Sequence, residues 1–248
     1  MSEAKDQPGK TTQAQDSGEA QVASGSGGER GGAEATGEAT PTVPLIEQLA
    51  SAFREQVRRA LGIELSDEVG TTALAFVDHY LGSLRDETRE PIISLVAANA
   101  GAWFGELVRR EIGGFWIGDG VDPRRLRLLL EPQFVHFSPV DMAYEAILSG
   151  SVEPGDPRVP QGATLDSAYH LRKRSPAPFE HEPADHDWVL DRLAESPPVP
   201  EDQFYSLTGR FETLELILEL LASREQARGR EPTRYHLNDY VAALTDAQ

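Results

Sequence analysis

The stretch IISLVAANAGAWFGELVRREIGGFW, from Ile92 to Trp116, decides the fold of this chain. Its apolar and small residues recur at the spacing of an α-helix. The helix is predicted to end at Gly113 and Gly114, because glycine readily takes the left-handed backbone conformation that a helix end often needs. The aromatic residues that follow are typical of a strand. The stretch therefore predicts a buried helix that leads directly into a β-sheet.

This central helix is predicted to have a small-residue side and a polar stripe. At 3.6 residues per turn, the small residues share one side, where another element could approach the helix backbone closely. They are Ser94, Ala97, Ala98, Gly101, Gly105, Val108 and Ile112. The narrow stripe carries Asn99, Trp103, Glu106 and Arg110. Glu106 precedes Arg110 by four residues, the favourable order for an ion pair.

The residues before the central helix predict a tail and two helices. Residues 1–41 contain mainly Gly, Ala, Ser, Glu, Gln and Thr. Such a segment buries too little apolar surface to offset its ordering entropy, so we expect a disordered, low-complexity tail. Two amphipathic helices are predicted between Thr42 and Leu84, the second capped by Ser66. Their short connections favour antiparallel packing against the central helix.

The residues after the central helix predict a small sheet. LRLLLE at 126–131 and QFVHFS at 133–138 suggest an antiparallel meander of two or three strands, with His136 pointing to solvent. A short helix is predicted at Val140–Leu148, closed by Gly150. Prolines and charges at about 151–183 predict an irregular surface excursion.

The longest regular periodicity lies near the C-terminus, where apolar residues alternate spacings of three and four. These residues are Phe204, Leu207, Phe211, Leu214, Leu218 and Leu221. Leu216, Ile217 and Leu220 widen the stripe, which favours packing on the domain core over a free coiled coil. The prediction is one mostly helical α+β domain over 42–248, with N-terminal helices and a long C-terminal helix around a small antiparallel sheet.

The composition excludes several classes of function. The chain carries 41 acidic and 23 basic residues, a formal charge of -18, which argues against affinity for nucleic acids or anionic membranes and favours a partner with a basic surface. Few of these charges lie in residues 1–41, so the acidity belongs to the predicted domain. Cysteine is absent, which excludes disulfides and thiolate chemistry.

The cellular location is predicted from what the chain lacks. The N-terminus has no basic start followed by an apolar run, and no continuous apolar run approaches the roughly twenty residues that span a bilayer. We therefore expect a cytoplasmic protein. Lysine occurs only at Lys5, Lys10 and Lys173, and the abundant Arg, Ala, Gly and Pro are typical of a GC-rich bacterial genome.

Two groups of residues are candidates for chemistry. Asn99, Trp103, Glu106 and Arg110 could bind a polar ligand or a partner, although an ion pair on the exposed side of the helix explains them as well. The tract from Glu180 to Asp187 gathers carboxylates and imidazoles, the material of a metal site, but it lacks the H-E-x-x-H spacing. No G-x-S-x-G or Ser-x-x-Lys motif occurs. We therefore predict no catalytic residue, metal or cofactor.

The segments GAWFGELVRREIGGFW at 101–116 and VHFSPVDMAYEAILSG at 135–150 resemble a pattern in uncharacterised bacterial proteins. The shared features are a small-residue helix with Gly-Glu and Arg-Arg, a Gly-Gly-aromatic-Trp turn, and a Ser-Pro-led helix that ends in Gly. The resemblance covers 92–150, with SLTGRFETLELILELL at 206–221 as a further match. It implies one cytoplasmic α+β domain and carries no known activity.

Three functional hypotheses follow from the sequence. The first is a non-enzymatic module, immunity-like or regulatory, that binds a basic protein through its acidic surface. The second is a small-molecule enzyme or sensor with a pocket beside the helix at 92–112, in which Glu106 is the carboxylate and Arg110 or Asn99 orients the ligand. The third is a structural subunit of an assembly, joined through the stripe from Phe204 to Leu221.

Overall fold

A computed structural model describes residues 42–174, 181–231 and 233–245. Over these residues the chain forms eight α-helices and a four-stranded antiparallel sheet, which confirms the predicted mostly helical α+β class. The predicted disordered tail at 1–41 lies outside the described residues. The extent of the single domain stays a prediction.

The elements follow one another in this order: α1 (Thr42–Leu61), a 3-10 helix (Asp67–Ala73), α2 (Leu74–Gly82), α3 (Glu90–Glu111), β1 (Gly114–Ile117), a short 3-10 helix (Pro123–Arg125), β2 (Arg127–Leu130), β3 (Val135–Phe137), α4 (Pro139–Leu148), β4 (His170–Leu171), α5 (Asp185–Ala194), α6 (Glu201–Phe204), α7 (Leu207–Ala227) and α8 (Leu237–Thr245). The predicted second helix is divided into a 3-10 segment and α2. The backbone of Gly70, with φ 54°, is not helical and interrupts it.

The central helix α3 is the core of the fold, and its small-residue side is confirmed as a close contact. A Cβ atom added to Gly101 would lie 2.5 Å from the Cα atom of Val140 at the start of α4. A Cβ atom added to Gly105 would overlap the indole ring of Trp116 on β1. The glycines therefore let α4 and β1 approach the backbone of α3. On another side, Trp103 packs against Phe53 of α1, with ring centroids 5.7 Å apart.

The length and composition of α3 would also suit a membrane span, whereas the sequence predicted no such segment. It is the one helix of this kind among the described residues, and 72% of its most apolar window is buried inside the fold. The core helix of a globular domain has the same properties.

The sheet has the strand order β1-β2-β3-β4, with every neighbouring pair antiparallel. The sheet therefore has one strand more than the upper number in the prediction of two or three strands. The additional strand β4 comes from the region predicted to be irregular, and its two residues are too few to produce a periodic pattern. Leu128 and Leu130 join the main core, whereas Leu129 packs in a second, small cluster with Phe134 and with Tyr240 of α8.

The sequence predicted that His136 points to solvent, and the structure contradicts this prediction. It lies opposite His170 in the register of β3 and β4, and the two imidazoles stack with centroids 4.9 Å apart. The Nε2 atom of His170 lies 2.9 Å from both carboxylate oxygens of Asp166. Burial lowers the pKa of His136 to about 4, with smaller contributions from the nearby charges of His170 and Arg127.

The helix α7 packs its apolar stripe on the core, as predicted. Its buried apolar residues are Leu207, Phe211, Leu214, Ile217 and Leu221. Phe204 is not part of this helix, because α7 begins after Ser206. The Ser206 side chain caps the helix by accepting a hydrogen bond from the backbone N–H of Gly209. Phe204 ends α6 instead and is exposed.

Candidate functional site

The structure places two of the four predicted stripe residues in the interior. Asn99 is 1% exposed and Trp103 is 3% exposed. The interpretation of this stripe as a solvent-exposed side of the helix is therefore wrong for its first half, because α1 covers that part of α3. The Oδ1 atom of Asn99 has no hydrogen-bond partner among the described residues. Asn99 is thus a polar residue inside an apolar contact, and its unsatisfied amide oxygen lowers the stability of the fold.

The other two stripe residues do not pair with each other. Glu106 accepts hydrogen bonds from Arg109, at 2.9 and 3.0 Å, and from the indole N–H of Trp116, at 2.6 Å. Arg110 makes its ion pair with Asp67. The predicted pair of Glu106 and Arg110 is thus replaced, because residues three apart on a helix are also neighbours and Trp116 supplies a further donor.

The environment of Glu106 keeps it ionised. Burial acts to raise the pKa of Glu106, but the hydrogen bonds from Arg109 and Trp116 outweigh burial and hold the pKa below its ordinary value. A carboxylate that is already satisfied in this way is a poor general base. Asn99, Trp103, Glu106 and Arg110 serve separate contacts, and their role in binding a ligand or partner stays a prediction.

A cleft of about 330 Å³ lies next to Arg110, between α1 and the first 3-10 helix. Its wall includes Arg54 and Asp67, joined by a hydrogen bond of 2.8 Å, and Glu55, which pairs with Arg58 and Arg59. These charges neutralise one another. Glu106 is not among the lining residues, so the cleft does not bring the two predicted ligand contacts together.

The described part of the tract predicted as metal-binding material forms ion pairs with α7. Asp185 lies 2.9 Å from Arg224, and Glu182 lies 2.7 Å from Arg228. Glu180 lies outside the described residues. Within 42–174, 181–231 and 233–245, no three His, Asp or Glu side chains are arranged to hold a metal ion. The carboxylates of this tract join the loop before α5 to α7.

The strongest candidate for a functional surface is formed by α5, α6 and α7. Both α5 and α6 pack against α7, so the three helices and the residues that connect them are neighbours in the fold. We call this region the acidic face. Its exposed carboxylates are Asp187, Asp191, Glu195, Glu201, Asp202, Glu212, Glu215 and Glu219.

Apolar side chains are exposed within the acidic face. They are Leu190, Val199, Phe204 and Leu216, which are 37% to 56% exposed. On α7, Glu212, Leu216 and Glu219 follow helical spacing on the side opposite the buried stripe, so acid and apolar groups alternate on one surface. Exposed apolar groups rimmed by charge are typical of protein interaction sites.

The arginines of α5 and α7 leave the charge of the acidic face largely uncompensated. Arg210 is buried and pairs with Glu145 of α4 at 2.5 Å, and Arg224 is buried and pairs with Asp185. Each therefore neutralises a carboxylate beneath the surface. Arg192 is exposed and pairs with Glu195. The remaining exposed carboxylates contribute negative charge to the surface that these arginines do not compensate.

Asp78 of α2 fixes the start of α7 and hence the position of the acidic face. Its carboxylate accepts hydrogen bonds from the backbone N–H groups of Leu207, at 2.8 Å, and Thr208, at 3.1 Å, and from the Thr208 hydroxyl. Burial raises the pKa of Asp78, and these hydrogen bonds act in the opposite direction. The first N–H groups of a helix have no partners within it, so this long-range contact anchors α7.

The sequence identified the buried side of α7 but not the acidic face. The spacing of Glu212, Glu215 and Glu219 was visible in the sequence, as the complement of the apolar stripe. The packing of α5 beside α7 was not visible, because the direction in which α5 returns along α7 depends on tertiary contacts such as that of Asp185 with Arg224. No protein-family model matches this chain, and no curated protein or solved structure matches it significantly.

Proposed function

We propose that the chain is a binding module for a protein with a basic surface, and that the acidic face is the contact. The observation that supports this proposal is that eight exposed carboxylates and the exposed side chains of Leu190, Val199, Phe204 and Leu216 lie on three neighbouring helices and their connections. The carboxylates attract and orient a basic partner, and the apolar groups supply surface that becomes buried on binding. Neutralisation of a basic enzyme would be one concrete form of this function.

The charge of the whole chain favours the same class of partner. A formal charge of -18 repels nucleic acids and anionic lipids, and it accelerates the approach of a cationic protein. Such an interaction weakens as salt screens the charges, since the Debye length falls from about 10 Å at 0.1 M to about 3 Å at 1 M. The structural-subunit alternative receives less support, because Leu214 and Leu221 of its stripe are buried in the chain's own core.

The test is a comparison of two charge-reversed variants. In one, Glu212, Glu215 and Glu219 are all replaced by Lys. In the control, three exposed carboxylates outside the acidic face, Glu47, Glu68 and Asp86, are replaced by Lys, which changes the net charge equally. We expect the wild type and the control to capture the same basic protein from native lysate. The acidic-face variant should lose it.

The purified partner is then titrated against all three proteins at rising salt. We expect the acidic-face variant to bind at least tenfold more weakly, and the affinity of the wild type to fall steeply with ionic strength. Equal capture by the two variants would show that only net charge matters and would overturn the proposal. A monodisperse wild-type protein without a partner under gentle conditions would also count against it.

A further inference from the structure

A cavity of about 720 Å³ lies beside the N-terminal end of α3, remote in sequence from the acidic face. The loop at 152–165 forms most of its wall, and Glu90, the first residue of α3, contributes the rest. Its volume lies within the range of about 300–1,000 Å³ that is typical of small-molecule sites. The region predicted as an irregular excursion therefore borders an open-sided space beside the central helix.

The wall of this cavity is mainly apolar. It includes Val152, Pro154, Pro157, Val159, Ala163 and Leu165. Val159 is buried and belongs to the main hydrophobic core, which attaches the loop to the domain. Proline restricts the backbone, so a loop with three prolines loses less entropy when it is held in one conformation. The cavity therefore has a wall that is anchored and conformationally restricted.

Glu90 is the carboxylate that α3 contributes to this cavity, whose polar lining also includes Glu153, Asp156, Gln161 and Thr164. The hydroxyl of Tyr144 donates to Ser94 at 2.6 Å, and Ser94 donates to the Oε1 atom of Glu90. Burial raises the pKa of Tyr144, so its hydroxyl remains a donor at neutral pH. This chain of hydrogen bonds fixes the Glu90 carboxylate in a defined orientation and leaves its other oxygen as an acceptor.

The charges at the cavity are not balanced. Asp156 is neutralised by Arg158, at 2.7 Å, and the pKa of Asp156 is lowered by this partner. Glu90 forms no ion pair with any side chain among the described residues, and Ser94 is its side-chain hydrogen-bond partner there. Apolar walls lower the effective dielectric, so an unpaired carboxylate attracts a cation more strongly there than in bulk water. A neutral ligand would not gain this electrostatic attraction to Glu90.

We propose that the cavity between Glu90 and the loop at 152–165 binds a small organic cation, an ammonium group on an apolar body, with Glu90 as its counter-ion. The apolar body would pack against the proline and valine side chains of the loop. The ammonium group would donate to the free carboxylate oxygen. This binding site is independent of the acidic face, and either proposal can fail without the other.

The test uses the full-length protein and three probes of similar shape. They are 2-phenylethylamine, which is a cation, 2-phenylethanol, which is neutral, and 3-phenylpropanoate, which is an anion. Calorimetric titration gives the affinities, and amide chemical shifts report the location. We expect the amine to bind at least tenfold more tightly than the alcohol, the anion to show no binding, and the shifts to concentrate at 152–165 and near Glu90.

The replacement Glu90→Gln preserves the size of the side chain and removes its charge. We expect it to weaken amine binding at least tenfold, and Glu68→Gln, at an exposed position outside the cavity, to leave binding unchanged. Equal affinity for the amine and the alcohol, which needs no variant, would overturn the assignment of a cation. Absence of binding by every probe at millimolar concentration, or equal binding by Glu90→Gln, would overturn it as well.

Discussion

The contact of α3 with α4 and the attachment of α7 hold the same domain together by different means. At the first contact the backbones approach because Gly101 has no side chain, and Val140 occupies the space. At the second, α7 is joined to α4 by the buried pair of Arg210 and Glu145 and to α2 by the carboxylate of Asp78. The inner contact thus depends on shape, and the outer one depends on charge as well as on its apolar stripe.

The two contacts differ in the substitutions that they tolerate. A contact of glycine with backbone tolerates almost no change, because close-packed interiors cannot absorb extra volume without strain. The buried arginines pair beneath the acidic face, and among its exposed carboxylates Glu195 pairs with Arg192 and Asp187 lies 2.9 Å from His186. The attachment of α7 therefore stabilises the domain through charge as well as packing, while the contacts of α3 with α4 and β1 stabilise it through close packing alone. The predictions that follow test each side of this comparison.

The largest effect is expected from breaking the buried ion pair. Arg210→Met leaves the Glu145 carboxylate buried without its cation, and the loss of one partner of a buried pair costs about 3–5 kcal/mol. Urea unfolding of the variant measures this as a drop in the free energy of unfolding.

The double variant Arg210→Met with Glu145→Leu is the control for this prediction. It removes both charges, and we expect most of the lost stability to return, since a well-packed apolar pair often replaces a buried ion pair without cost. If the free energy of unfolding of Arg210→Met lies within about 1 kcal/mol of the wild-type value, the ion pair contributes little to the attachment of α7.

The inner contact should respond to a single methyl group. In Gly101→Ala the new Cβ atom meets the backbone of Val140, which cannot rotate away, and we expect a loss of about 2–3 kcal/mol in thermal or urea unfolding. Gly82→Ala is the matched control, because nothing lies within 4 Å of its added Cβ atom. The control should be neutral or slightly stabilising. Equal effects of the two replacements would contradict the close contact.

Acid should weaken the edge of the sheet through His136. Its pKa falls from 6.5 to about 4 in the folded chain, so the unfolded chain takes up the proton first as the pH is lowered. The free energy of unfolding should then decrease by about 2 kcal/mol between pH 7.5 and 5. The charged or titratable groups around His136 are His170, Arg127, Asp166 and Lys173.

The measurement compares the pH dependence of urea unfolding in three proteins. In His136→Phe this part of the decrease should disappear, because phenylalanine cannot be protonated. In His79→Gln, at an exposed position on α2, the full decrease should remain. An unchanged pH profile in His136→Phe would show that His136 is protonated equally in the folded and unfolded chains.

The smallest effect is expected at the start of α7. Asp78→Ala removes the acceptor of the Leu207 and Thr208 N–H groups and should cost about 1 kcal/mol, the usual contribution of a helix cap. Asp86→Ala, at an exposed turn, is the control and should be neutral. Hydrogen exchange should become faster at the first turn of α7 in the Asp78 variant alone. Equal exchange in both variants would contradict the anchoring role.

Much of the fold was predictable because local patterns determine it. The apolar periodicity predicted α1, α3 and α7, the Gly-Gly pair predicted the end of α3, and Ser138 with Pro139 predicted the start of α4. The small-residue side of α3 was also predictable, since Gly101 and Gly105 leave room that another element fills. The break at Gly70 and the short strand β4 were not predicted, because neither extends over enough residues to form a period.

The candidate sites were less predictable, because partners far apart in sequence determine them. Glu106 lies four residues before Arg110, but its carboxylate accepts hydrogen bonds from Trp116 and Arg109 instead. Arg110 forms its ion pair with Asp67. The cavity at Glu90 required a loop more than sixty residues away to pack beside α3.

The sequence by itself determined the long helices α1, α3 and α7, the start of the sheet and the excess of acid, since periodicity and composition are local or additive properties. Only the tertiary structure decided which side chains face solvent. It buried Asn99 and Trp103 beneath α1, turned Arg210 inward to Glu145, and left the carboxylates of α5, α6 and α7 outside. Burial and pairing depend on the whole packed arrangement, so no window of sequence contains them.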